Sequence, residues 1–325
     1  MDTRPLGTDG PQVSVVCLGA WPLGGGMGVI PDDQAIGAIH AALDVGMTFI
    51  DTAEGYRTSE SVLGKALHGR RHEAFLATKL SGDHSPEHIS QAIENSLTSL
   101  GTDYVDLYQL HSPKPQWPIQ DTMGELLKLQ EQGKIRYIGV SNFSGDQHRE
   151  AASHGPINSS QPRYNMLFRG AEDEVLPACL ELGIGVMAHS PLAKGILTGK
   201  YKPGHQFPDD DERSDHFVFR EGRADRAWEI VPALQTWAAD HGRDLVQLAI
   251  AWTLAHPSMS SCITGAKTAE QVMHNASAAD WRLSESEMLE LGEILAPVNL
   301  GAGVERRLSA PYRGYQRRPS ISPRM

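Results

Sequence analysis

Eight short apolar runs, most of them separated by stretches with helical periodicity, leave this chain few folds to choose from. The runs lie at 13–18, 47–50, 74–78, 104–110, 135–140, 157–160, 184–188 and 259–264. Helical patterns fill 32–44, 59–68, 86–100, 119–132, 145–153 and 171–182. The third of these is the clearest. Ser85 stands where an N-cap belongs, Pro86 takes the first helical position, Glu87 falls in the first turn and Gly101 follows the end. Its apolar residues Ile89, Ala92, Ile93, Leu97 and Leu100 keep helical spacing. Strands alternating with helices predict a parallel sheet. Eight is the number that closes such a sheet into a (β/α)8 barrel, and 325 residues suit one.

An open doubly wound sheet is the rival. A dinucleotide-binding sheet of that kind carries G-x-G-x-x-G after its first strand. The glycines of "LGGGMG" at 23–28 do not fit that spacing. "GILTGKY" at 195–201 is one residue short of a P-loop between its glycines and lacks the final Ser or Thr. The expectation is therefore a single TIM barrel over residues 1–298, with "LGTDG" at 6–10 turning an N-terminal hairpin. The interval after the seventh strand is long. It holds a polar loop at 202–223 and helical segments at 224–241 and 245–255. Long loops of this kind often serve as lids or binding loops. A last helix at 284–295 precedes residues 299–325, a basic Ser/Pro-containing tail expected to be mobile, with partial folding over the site as the alternative.

Composition removes several functions. A net charge of −11 argues against non-specific nucleic-acid binding, which needs a basic surplus. No run approaches the roughly 18 apolar residues of a membrane span. "MDTRPLGTDG" has no apolar core of a secretory signal. A cytoplasmic protein is expected. Cys17, Cys179 and Cys262 sit in apolar runs without metal or disulfide spacing, and read as buried thiols.

A closed β/α barrel presents its chemistry at the C-terminal ends of its strands. Those ends read, in order, Asp51, Lys79, His111, Ser141 with Asn142, Gln161, His189 with Ser190, and Gly265 with Lys267. Each residue alone is ordinary, but together they line one rim. Tyr56 lies five residues beyond Asp51. A phenol is a weak acid at neutral pH, and a nearby ammonium lowers its pKa. A carboxylate is needed to hold that ammonium in a buried place. A histidine beside the phenol polarises the same substrate oxygen. Such a group donates a proton to a developing alkoxide, the chemistry of carbonyl reduction by hydride. The hydride must come from a cofactor. The hydroxyl and amides of Ser141, Asn142 and Gln161 suit a nicotinamide carboxamide.

The stretches "DTAEGYRTSESVLGKAL", "LATK", "SLTSLGTDYVDLYQLH", "GKIRYIGVSNF", "QPRYN", "SPLAKGILTGKY" and "ITGAKTAEQVMHN" resemble an aldo-keto reductase from about Arg4 to Leu295. The long loop and "SPLAKGILTGKY" are most similar to the bacterial and potassium-channel-β-subunit branch. The resemblance implies NADPH-dependent interconversion of carbonyls and alcohols, with NADH admitted. It implies Tyr56 as general acid, Lys79 lowering its pKa, Asp51 paired with Lys79, and His111 orienting the carbonyl. It implies Ser141, Asn142 and Gln161 at the nicotinamide, and Ser190, Leu192 and Lys194 along the pyrophosphate. It implies Gly265, Lys267, Gln271 and Asn275 around the adenosine and its 2′-phosphate. Two positions depart from the family. His189 replaces the usual stacking aromatic ring, covers less area and can titrate. Gln271 stands where many members have arginine. The substrate is expected to be a small carbonyl or alcohol compound, held by Trp21, Tyr56 and His111. Trp117, Met27, Phe143 and the loop at 207–219 are further candidates for the pocket. An NADP-binding barrel acting as a regulatory or scaffold subunit is the competing reading. A metal hydrolase is disfavoured, because the first strand ends in Gly19-Ala20-Trp21 rather than in a ligand pair. Nothing in the sequence encodes oligomeric state.

Overall fold

The computed structural model describes residues 1–220 and 222–300. Its first two strands, β1 (Thr3–Pro5) and β2 (Gln12–Ser14), form the antiparallel hairpin that "LGTDG" turns. The barrel strands are β3 (Val16–Gly19), β4 (Phe49–Asp51), β5 (Phe75–Leu80), β6 (Val105–Leu110), β7 (Ile135–Ser141), β8 (Ser159–Gln161), β9 (Gly185–Ala188) and β10 (Met259–Gly265). They pair in parallel in chain order, and β10 closes the barrel against β3. Every run in the sequence yields a barrel strand. The first run also yields β2, because the chain turns at Val15 from the hairpin into the barrel wall.

The helices are α1 (Asp32–Asp44), α2 (Ser59–Ala66), α3 (Pro86–Leu100), α4 (Ile119–Glu131), α5 (Gly145–His154), α6 (Val175–Leu182), α7 (Asp225–Asp240), α8 (Leu245–Ala255), α9 (Ala269–Ala276) and α10 (Glu285–Leu295). The caps of α3 form as its sequence requires. Ser85 Oγ accepts from His88 N at 3.2 Å, and Gly101 adopts φ 62° in the left-handed region. The segment at 171–182 is shorter than expected: a 3-10 turn at Gly170–Glu172 precedes α6.

Most apolar side chains lie between the barrel wall and the helices. Inside the barrel, Leu6, Val13, Cys17, Phe49, Ala77, Leu107, Met187 and Ile263 form a separate buried cluster. The hairpin contributes to it and is tied across the floor. Ser260 Oγ donates to Pro5 O at 2.7 Å, and Arg4 donates to Leu254 O at 2.9 Å and Met259 O at 2.7 Å. An apolar, plugged floor leaves the opposite mouth for chemistry. Cys17, Cys179 and Cys262 are buried free thiols.

The loop between β9 and α7 folds through short 3-10 turns at Ala193–Thr198, Glu212–Asp215 and Phe217–Phe219. At the far end of the chain, Leu300 N donates to Leu167 O at 2.7 Å, and Arg169 N donates to Asn299 Oδ1 at 3.2 Å. The remainder of the expected mobile tail, 301–325, lies outside the described residues. Among the described residues no helix is long and apolar enough to cross a membrane.

Candidate functional site

Strand register brings the first polar group together. Asp51 pairs with Ala77, so Lys79, two residues on, shares its face. Lys79 pairs in turn with Gln109. Lys79 is fully buried, and its ammonium makes three contacts. Nζ donates to Asp51 Oδ2 at 2.6 Å, to Thr52 O at 2.7 Å and to Tyr56 OH at 3.4 Å. Those contacts use all three of its N–H groups. Burial alone would lower its pKa, but Asp51 and Tyr56 outweigh it and hold the ammonium above its ordinary value.

Tyr56 faces the same space from the loop after β4. Its ring lies 4.9 Å from Trp21 and 5.5 Å from His111, both edge to face. The expected pull of Lys79 on the phenol is present but does not set the net direction. The net shift is upward, because burial dominates and Asp51 adds to it. The carboxylate that neutralises Lys79 also blunts its effect on Tyr56.

Burial, with Lys79 and Lys114 adding to it, drives His111 down to about 3. The imidazole is therefore neutral at any working pH. Its Nδ1 lies 2.7 Å from Ser81 Oγ. With the hydroxyl donating, the ring carries its proton on Nε2 and can donate from there.

The second oxygen of Asp51 is also occupied. Gln109 Nε2 donates to Asp51 Oδ1 at 3.1 Å, and Gln161 Nε2 donates to the same atom at 3.0 Å. Gln109 was not singled out in the sequence. Its signal was there: a glutamine in β6 two residues on from the inward-facing Leu107 and level with Lys79.

Around the ends of β7 and β8, Ser141, Asn142 and Gln161 adjoin. Ser141 Oγ donates to Gln161 O at 2.8 Å. Asn142, in the left-handed region at φ 59°, donates from Nδ2 to His111 O at 3.0 Å and to Ser141 Oγ at 3.1 Å. Its Oδ1 lies 3.2 Å from His189 Nε2. His189 is thus tied edge-on to Asn142, and its Nδ1 lies 3.0 Å from Ser190 Oγ. The expectation that it can titrate also needs correction. Burial, then the nearby cations Arg163, Lys194 and Lys79, push its pKa well below the imidazole range.

Beyond β9 the backbone turns left-handed at Ser190, Ala193 and Lys194. Lys194 pairs with Glu212 at 2.5 Å. Leu192 is half-buried beside them. Across the mouth, Lys267 precedes α9, whose N-cap Thr268 accepts from Gln271 N at 3.2 Å. Lys267 N donates to Gln271 Oε1 at 2.8 Å, and its ammonium donates to Met27 O. Asn275 Nδ2 reaches Gly265 O at 3.4 Å. The rim therefore offers hydroxyl and amide groups at one end and a lysine before a helix N-terminus at the other. That set suits an extended ligand with an amide head and anionic groups.

The long loop meets the glycine-rich loop after β3. Met27 forms a bridge with Asp211, and Glu212 N donates to Gly26 O at 3.3 Å. Gly26 has to be glycine: a Cβ there would sit 2.0 Å from Trp21 Cε2. Of the other pocket candidates, Phe143 is buried against His148. Phe207 and Phe219 pack on each other 5.0 Å apart. Among the described residues, the ring that contacts Tyr56 besides His111 is Trp21.

Three comparisons bear on this geometry. The model of the "Aldo/keto reductase family" matches residues 15–296. An aldo-keto reductase of Bacillus subtilis (strain 168) is 34% identical over 310 residues, covering 91% of this chain and 94% of that protein. The NADH-specific methylglyoxal reductase of Escherichia coli (strain K12) is 33% identical over 330 residues, covering 91% of this chain and 99% of that protein. The solved structure of a glycerol dehydrogenase from Gluconobacter oxydans superimposes with a TM-score of 0.81 at 34% identity, covering 91% of this chain and 95% of that one.

Proposed function

This chain belongs to the aldo/keto reductase family, and on that premise we propose that it interconverts a carbonyl and an alcohol with Tyr56 as general acid and base. The observation that carries the reading is the position of Lys79 Nζ, 2.6 Å from Asp51 Oδ2 and 3.4 Å from Tyr56 OH. When bound, a reduced nicotinamide supplies the hydride. Tyr56 O–H donates the proton to the substrate oxygen, and its raised pKa keeps it protonated for that task at neutral pH. His111 donates a second hydrogen bond from Nε2 to the same oxygen and, being neutral, does not compete as an acid. Lys79 stabilises the phenolate left behind. Asp51 keeps Lys79 charged and in place.

Ser141, Asn142 and Gln161 are assigned to the nicotinamide carboxamide. Ser190, Leu192 and Lys194 are assigned to the pyrophosphate, and Gly265, Lys267, Gln271 and Asn275 to the adenosine end. Trp21 shapes the substrate side of the pocket. The substrate is an aldehyde, ketone or sugar. The relatives named for methylglyoxal and glycerol support a small one.

The test is turnover with a panel of carbonyls and alcohols, read by nicotinamide absorbance. Tyr56→Phe should lower kcat by on the order of a hundredfold to ten-thousandfold while leaving cofactor affinity near normal. A wild-type rate in that variant would remove Tyr56 as the acid.

NADPH is proposed as the preferred cofactor, on the lysine preceding α9. NADH is a second reading, supported by the NADH-specific relative and by the engagement of the Lys267 ammonium with Met27 O. Lys267→Ala should weaken NADPH more than NADH. Equal weakening would separate Lys267 from the 2′-phosphate.

A further inference from the structure

We propose that Gln109 is a positioning residue that holds the Gln161 amide, whose NH2 end Asp51 already turns inward, in one plane by a second anchor, and so couples the Lys79–Asp51 pair to recognition of the cofactor's carboxamide. The proposal rests on the nicotinamide reading above.

The argument starts from Asp51. Its Oδ2 is committed to Lys79, so Oδ1 must be satisfied by other donors. A carboxylate oxygen only accepts, so any amide that meets it presents its NH2 group. Gln109 and Gln161 both do so, at 3.1 and 3.0 Å. That arrangement would bring two NH2 groups together if Gln109 did not also offer its carbonyl. It does: Gln161 Nε2 donates to Gln109 Oε1 at 3.3 Å, and Ser159 Oγ donates to it at 3.5 Å. Both N–H groups of Gln161 are then spent inward, and its Oε1 is left as an acceptor. An acceptor there selects a ligand amide that brings its own NH2.

The barrel wall is built to hold Gln109. Register aligns Lys79, Gln109, Gly139 and Ser159 on successive strands. A Cβ on Gly139 would sit 2.1 Å from Ser159 Oγ and 2.9 Å from Gln109 Cγ. The glycine in β7 clears the space that the glutamine side chain crosses. All of these groups are buried, which makes a wrongly faced amide costly.

Gln109 also acts on the acid through Asp51. Tyr56 faces Lys79, His111 and Trp21, and Asp51 and Glu212 are the acidic groups acting on it. The Gln109 N–H partly offsets the Asp51 charge. Its removal should raise the phenol pKa further.

The test uses full-length protein and two oxidised cofactors. One carries the carboxamide, and the other carries an acetyl group that keeps the carbonyl but lacks the NH2. Wild type should bind the carboxamide form about tenfold more tightly, the worth of one hydrogen bond. In Gln109→Met that preference should fall to about twofold or less. The alkaline limb of the kcat profile for reduction should move to higher pH. Thermal midpoints of both proteins show whether the variant is folded. A residue that only filled space would change stability and leave both the preference and the limb where they were. That result overturns the proposal. So does a wild type that binds both cofactors equally, a measurement that needs no variant. A protein that binds neither cofactor would instead overturn the oxidoreductase reading itself.

Discussion

At the scale of single residues, environment decides more than identity. His111 and His189 are both histidines at strand ends, and both are held neutral by burial among cations. The sign of the effect is definite. A pKa pushed down means that the folded protein does not take up the proton where a free imidazole would, at about 6.5. The kcat profile for reduction should therefore show no break near that pH. A single clear break there, absent in His111→Asn or His189→Gln, would place a titrating imidazole in the site. Tyr56 gives the converse lesson. The sequence supplied the correct neighbour, Lys79, but the net direction of the phenol pKa depends on how much water reaches it.

Among the elements, register carries the site, and register has its own anchor. Asp106, nearly buried in β6, accepts from Leu76 N at 2.9 Å, from Arg71 at 2.8 Å and from Arg136 at 3.0 Å. The two guanidinium groups lie 4.4 and 3.9 Å from the centre of the Tyr104 ring. One carboxylate thus ties β5, β6 and β7 together below the level of Lys79 and Gln109. Asp106→Ala leaves the buried Leu76 N–H without its partner and takes the carboxylate from a half-buried Arg71, which keeps Ala74 O and Tyr104 O, and should cost about 2 kcal/mol. Urea unfolding with an unchanged m-value measures it, and a loss below about 1 kcal/mol would show that the strands hold their register without it. The elements themselves were largely legible. The α3 caps and the eight apolar runs are local patterns, and local patterns survive in the fold. The split of the first run at Val15 and the late start of α6 were not legible. Both depend on what the segment packs against.

For the whole molecule, the neutral histidines set the response to acid. His84, His111, His148, His189, His216 and His256 all have lowered pKa values, with burial as the first cause in each. As pH falls below about 6.5 the unfolded chain binds protons that the folded chain refuses, so stability falls with pH. Each such histidine contributes up to about 1.4 kcal/mol per pH unit, until its folded pKa is reached. For His84 that lies at about 4, and for His111 and His216 at about 3. Denaturation midpoints between neutral pH and about pH 5 should fall steadily, and a flat response would contradict the burial of these rings. By itself, the sequence determined the alternation of strands and helices and the row of polar residues at the strand ends, because side-chain period and capping are written in neighbouring residues. Only the closed barrel decided that Asp51, Gln109 and Gln161 share one hydrogen-bonded centre, that His189 is tied to Asn142, and that Tyr56 is a weaker acid than its lysine suggests. Those outcomes depend on which distant residues closure brings together and how much water it excludes, and no local stretch of chain contains either quantity.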